Sequence, residues 1–156
     1  MTTTFPPLDI TAYWAPLNEQ LVALLDLVPD DKLDWSPKPE LYNFKGILLH
    51  VVVARHNWMG RDVGDGEETP DVLREGQTKD GLKAQLRLSW ARMERFLSSR
   101  DRLEATYDVP HGPAGVARTN GHWLAFHGLE HDIHHRADIF HYLALLGIDH
   151  GAIEAP

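Results

Sequence analysis

The chain has 156 residues, no cysteine and a formal charge of −8, with 43% apolar and 24% charged residues. Such a length and composition suit one globular domain over residues 1–156 with a single core, and exclude disulfides, zinc–thiolate sites and a cysteine nucleophile. The acidic balance argues against a nucleic-acid partner, because phosphate contacts need a basic face, and here Arg87, Arg92, Arg95, Arg100 and Arg102 are interleaved with acids.

Four segments carry helical periodicity. The first runs from about Asp9 to Val28, with Leu17, Leu21, Leu24, Leu25 and Val28 recurring at spacings of three and four and Asp9 as its cap. Met1 to Pro7, ahead of it, lacks a basic residue and an apolar stretch, so no secretory signal is expected. Pro29 and the run Trp35-Ser36-Pro37-Lys38-Pro39 break the chain into a loop. The second helix is expected from about Asn43, its cap, to Asp62, with Gly64 just beyond.

Val63 to Gln77 is rich in Gly, Glu, Asp and Pro and reads as an exposed connection. A third helix is expected from Thr78 or Asp80 to about Arg100, with Leu82, Leu86, Trp90, Met93 and Leu97 on one face. Glu104 to Gly121 exceeds the roughly 2–8 residues usual between bundle helices, so a short strand or helix, or the mouth of a site, is expected there. The fourth helix runs from about Asn120 to Leu146, and Gly147 stands where a left-handed cap belongs. Four amphipathic helices read as an all-α four-helix bundle. No apolar run approaches the roughly 20 residues of a membrane span, and the cytoplasm is the expected location.

Histidine is the unusual residue. There are ten, and His122, His127, His131, His134, His135 and His141 crowd into the fourth helix. At 100° per residue, His127 and His135 fall about 40° either side of His131, and Asp138 about 20° away. Two imidazoles at i, i+4 project in parallel and can share one ion. The second helix offers His50 inside Ile47-Leu48-Leu49-His50-Val51-Val52-Val53, where unpartnered ring nitrogens would cost roughly 1–3 kcal/mol each. A metal held between the two helices removes that cost. Three histidines on two helices leave a coordination position open, as catalytic sites do. The competing reading makes His127, His134 and His141 a solvated face; His56, His111 and His150 are expected on the surface or in loops.

His131-Asp132-Ile133-His134-His135-Arg136-Ala137-Asp138-Ile139, followed by Leu143 and Leu146-Gly147, resembles the signature helix of the DinB/YfiT-like superfamily. His50, followed by Trp58, is similar to that family's second-helix histidine. The resemblance implies a four-helix bundle binding one divalent ion, commonly zinc or nickel, with His50, His131 and His135 as ligands. It also implies a small-molecule substrate and thiol S-transferase, isomerase or hydrolase chemistry. With no cysteine in the chain, any thiol would be an exogenous small molecule. Two departures stand out: Ala137-Asp138 replaces a frequent Gly-Gln, and Ala54 and Arg55 stand where an acid often follows the histidine. Asp138 could therefore orient a ligand or be one.

Around this site, His127 and Asp138 are the candidate catalytic residues, with His134 as a further base candidate. Asn57, Trp58 and Trp123 are the candidate substrate-binding residues, weighed against core packing for the tryptophans. Arg136 points away and is expected to pair with Asp132 or Glu130. A second apolar stripe, Phe126, Leu129, Ile133, Ala137 and Phe140, needs cover from the first helix or from a second copy, and a homodimer through the fourth helix is expected. The functions weighed are a metal-dependent enzyme, a non-catalytic metal-binding stress protein, and a metal-free bundle with a pH-sensitive histidine interface.

Overall fold

A computed structural model describes residues 9–154, so the Met1 to Pro7 reading lies outside the described residues. Helix α1 spans Ile10–Leu27, and the Asp9 carboxylate caps it by accepting from the amides of Thr11 and Ala12. Helix α2 spans Phe44–Asn57, with the Asn43 side chain accepting from the Gly46 amide at 2.7 Å. Both caps satisfy amides that have no partner inside the helix. A wide π turn, Trp58–Val63, continues α2 and stops at Gly64, whose φ of 67° suits a residue without a β-carbon.

Then follow α3 (Val72–Glu75), α4 (Lys79–Leu97, capped by Thr78) and α5 (Arg100–Glu104). Strands β1 (Thr106–Pro110) and β2 (Val116–Asn120) pair antiparallel, with Thr106 opposite Asn120. The long connection between the third and fourth major helices is thus a hairpin. Helix α6 spans Gly121–Leu145 and ends through Gly147 at φ 71°, where the Ile148 amide donates to Leu143 O in the manner of a Schellman cap. A last turn, α7, covers Gly151–Glu154.

Helices α1, α2, α4 and α6 form the all-α bundle. Each of α4 and α6 packs on both α1 and α2, around a core that includes Trp14, Leu17, Leu21, Phe44, Leu48, Val52, Leu86, Met93, Phe96 and Leu143. Among the described residues no helix is long and apolar enough to cross a membrane.

Two sequence expectations are corrected here, and a third is refined. His56 is buried, at 3% exposure, because the chain after the π turn folds back over it. That stretch is exposed over most of its length, as expected, but is anchored by Arg92. Its guanidinium meets both Asp65 oxygens at 2.6 Å and donates to Glu67 O, Thr69 Oγ1 and His56 Nδ1 at 3.0 Å each. Gly60 makes the approach possible, since a β-carbon there would lie 3.2 Å from Arg92 Nη2. Finally, Arg136 bonds Gln20 Oε1 of α1 at 2.5 Å, because Asp132 turns inward and is fully buried.

The second stripe of α6 finds most of its cover within the chain. Leu129, Ile133 and Phe140 pack against the core, and Phe140 stacks on His150. Phe126 stays 61% exposed.

Candidate metal centre

The register of α2 against α6 brings His50 to His131 and His135. The Nε2 atoms of His50 and His131 lie 3.0 Å apart, and one ligand atom from each of the three residues falls within 4.8 Å of the others. Two nitrogens bound tetrahedrally at about 2.0–2.1 Å from zinc stand about 3.3–3.4 Å apart, so the pair sits close to chelating separation. All three rings are half-buried.

The surroundings fix the rings. The His135 Nδ1–H donates to Asp138 Oδ2 at 3.0 Å, which leaves Nε2 for the cluster. His131 Nδ1 faces Asp132 Oδ1 at 3.5 Å. Tyr42, from the loop after α1, stacks on His50 with centroids 5.5 Å apart, and the Tyr142 hydroxyl ties that loop down by donating to Tyr42 O at 2.9 Å. Trp58 sets its edge against His131 and His127 at 5.1 and 5.5 Å.

Electrostatics favour the neutral, ligand-competent form of His50 and His135. Burial lowers the His50 pKa, and the neighbouring His131 ring lowers it further. Burial, then His131, lowers that of His135 against a weaker opposing pull from Asp138. Neutral imidazoles carry the lone pair that a metal requires. With three nitrogen donors and no thiolate, the set suits zinc, nickel or copper, so the residues present fit the ion expected from sequence.

Beside the cluster, His127, Glu130, His131, His134 and His135 line a cleft of about 280 Å³. Trp123, 45% exposed, lies flat on His127 at 4.9 Å with an interplanar angle of 7°. Of the expected site residues, His127 lines this cleft, Trp58 and Trp123 pack on His127, and Asp138 stands behind His135. Asn57 does not join them: it lines another hollow, of about 200 Å³, with Val53, His56 and Thr69. Asp138 forms a separate group with His134 and His135 and is not part of the three-histidine cluster.

A match to the DinB superfamily extends over residues 17–139. The chain belongs to the DinB superfamily. Its fold is similar to that of a DinB-like protein from Bacillus subtilis, at 18% identity and a TM-score of 0.68 over 94% of both chains. A DinB-like protein from Bacillus cereus superposes with a TM-score of 0.69 at 16% identity, over 90% of this chain and 92% of that one. A DinB-family protein from Exiguobacterium sibiricum gives 0.66 at 18% identity, over 90% and 91%. No curated protein matches the chain.

Sequence reasoning missed the DinB chain's Tyr42, Glu130 and the buried group Trp14–Arg55–Asp132 behind His131. The Trp14 indole donates to Asp132 Oδ2 at 2.6 Å, and Arg55 reaches the same oxygen through Nε at 3.0 Å and Nη2 at 2.6 Å. Arg55 had been visible as a departure from the family pattern. Its inward direction on α2 was the available signal.

Proposed function

We propose that this DinB-superfamily chain is a divalent-metal-dependent enzyme acting on a small molecule, with His50, His131 and His135 as the ligands of one zinc or nickel ion. The observation that carries the reading is the 3.0 Å approach of two Nε2 atoms from different helices, with the third imidazole beside them. Such an ion, when bound, would supply Lewis acidity toward a substrate oxygen or a thiol. The chain itself has no cysteine, so a transferase of this kind would use an external thiol, and hydrolysis is the other chemistry open to it.

The chain's own residues divide the remaining work. His127, held between Trp123 and Trp58, is the group placed to accept or return a proton at the cleft. Glu130 and His134 give the cleft further polar contacts, while the exposed face of Trp123 offers an apolar one. Asp138 keeps the His135 ring in place through Nδ1. A non-catalytic ion would need its fourth position filled, and Asp138 sits on the outer nitrogen of His135 instead, which favours the catalytic reading. A homodimer through α6 is proposed on Phe126 alone, and the cytoplasm accords with a chain free of cysteine.

Metal content tests the reading, measured by mass spectrometry on untagged protein beside the His131→Ala/His135→Ala double variant. About one equivalent in wild type and none in the folded variant supports it. Wild type that takes up neither zinc nor nickel on incubation rejects it in favour of a metal-free bundle.

A further inference from the structure

The two oxygens of Asp132 have unequal tasks. Oδ2 takes three donors, Trp14 Nε1 and Arg55 Nε and Nη2. Oδ1, among the described residues, has one polar neighbour in reach, the His131 Nδ1 at 3.5 Å. The contact is long, yet among the described residues no other acceptor competes for that N–H.

Arg55 is itself fixed. Its Nη1 donates to Asn18 Oδ1 at 2.8 Å and to Leu86 O and Ser89 Oγ at 3.2 Å. Both members of the pair are wholly buried. A buried ion pair often gives no more stability than apolar side chains of similar volume would, so its presence calls for another account than stability. What they do achieve is a carboxylate that cannot turn, with one oxygen left over and aimed at His131.

We propose that Asp132 is the positioning residue of this centre. Held by Arg55 and Trp14, it keeps His131 in the Nδ1–H tautomer and so turns the Nε2 lone pair toward His50 and His135. The inference rests on the reading of those histidines as metal ligands. Carboxylates behind ligand histidines act in this way, fixing ring and tautomer and raising basicity. In the metal-free state the same tautomer makes His131 Nε2 an acceptor, and the 3.0 Å contact with His50 then requires that His50 donate through its own Nε2–H.

The decisive substitution is Asp132→Asn. Three donors from Trp14 and Arg55 claim the amide oxygen, which leaves the NH2 group facing His131. His131 must then accept at Nδ1 and carry its proton on Nε2, the nitrogen the ion needs. The measurement is 15N NMR of the histidine rings in metal-free protein at neutral pH, with zinc titration of the same samples.

Wild type is expected to show Nδ1–H at His131, the variant Nε2–H, and zinc affinity to fall about 10–100-fold. Should Asp132→Asn fail to fold, Arg55→Met/Asp132→Leu removes both charges together. It should give mixed His131 tautomers and weakened zinc binding. An unchanged Nδ1–H tautomer with unchanged zinc affinity, in either variant, overturns the proposal. Tautomers that behave as expected in a wild type that binds no zinc support the role of Asp132 and overturn the metal reading instead.

Discussion

A β-carbon on Gly128 of α6 would stand 2.6 Å from Cη2 of Trp14 and 3.2 Å from Cζ3 of Trp58. The glycine is what lets both indoles slide against the helix, one to hold Asp132, the other to flank His131 and His127. Gly128→Ala should therefore be destabilising. Overpacking costs about 1–3 kcal/mol, against a helix-propensity gain of about 1 kcal/mol. A net loss of up to about 2 kcal/mol in urea unfolding is expected, together with a change in tryptophan fluorescence. A more stable variant would show that the indoles have room to move.

Arg92 and Asp65 form a buried ion pair, at 2% and 1% side-chain exposure. Removing one partner from such a pair costs about 3–5 kcal/mol. Arg92→Met should lose stability of that order, and limited proteolysis should cut first between residues 64 and 71. Cleavage elsewhere, with the stability unchanged, would mean that the pair does not anchor this stretch.

His56 should make the fold acid-sensitive. Its Nδ1 accepts from Arg92, and its pKa is lowered from 6.5 to about 4, first by burial, then by Arg92 and Arg55, against the opposing pull of Asp65 and Glu67. Protons then bind the unfolded chain first as pH falls. Stability is whole above pH 6.5 and declines toward pH 4, by about 3 kcal/mol from this group at most. His50 and His135 shift the same way. In His56→Asn the amide oxygen can still accept from Arg92 but does not titrate. The variant should be less stable at pH 7 and show a shallower decline in urea midpoints. Equal slopes would rule His56 out as the source.

His127 and His135 should separate cleanly in metal retention. His135→Ala removes a proposed ligand, so bound metal should fall to near zero. His127→Ala removes a cleft group pinned between two tryptophans and should keep about one equivalent. Loss of metal from both, measured by mass spectrometry on folded protein, would make His127 a ligand.

Phe126 is the exposed residue of a stripe otherwise covered within the chain. Sedimentation at micromolar concentration should give a dimer mass, reduced to a monomer by Phe126→Ser. A monomeric wild type removes the α6 dimer.

What could be read from sequence was whatever one helix decides alone. Asp9 and Asn43 cap the helices they were expected to cap, because a cap depends on the next three residues. His131 and His135 share a direction because four residues nearly complete a turn. His56 was misread since its burial comes from a Gly- and Glu-rich stretch folding back, and composition carries no sign of the Arg92 anchor that holds it. Arg55 and Asp132 lie 77 residues apart. Their meeting depends on how α2 and α6 rotate against each other, which periodicity fixes only to a few tens of degrees.

His50 and His131 are 81 residues apart in the chain. An ion shared between them would close a loop of that length, and by the chain-entropy relation used for disulfides such a closure restricts the unfolded state by roughly 4–5 kcal/mol. A protein without cysteine would thus possess a crosslink that is made and undone by metal supply rather than by oxidation. Its persistence in a cell would follow zinc or nickel availability, and metal starvation would reach it as lowered stability as well as lost chemistry.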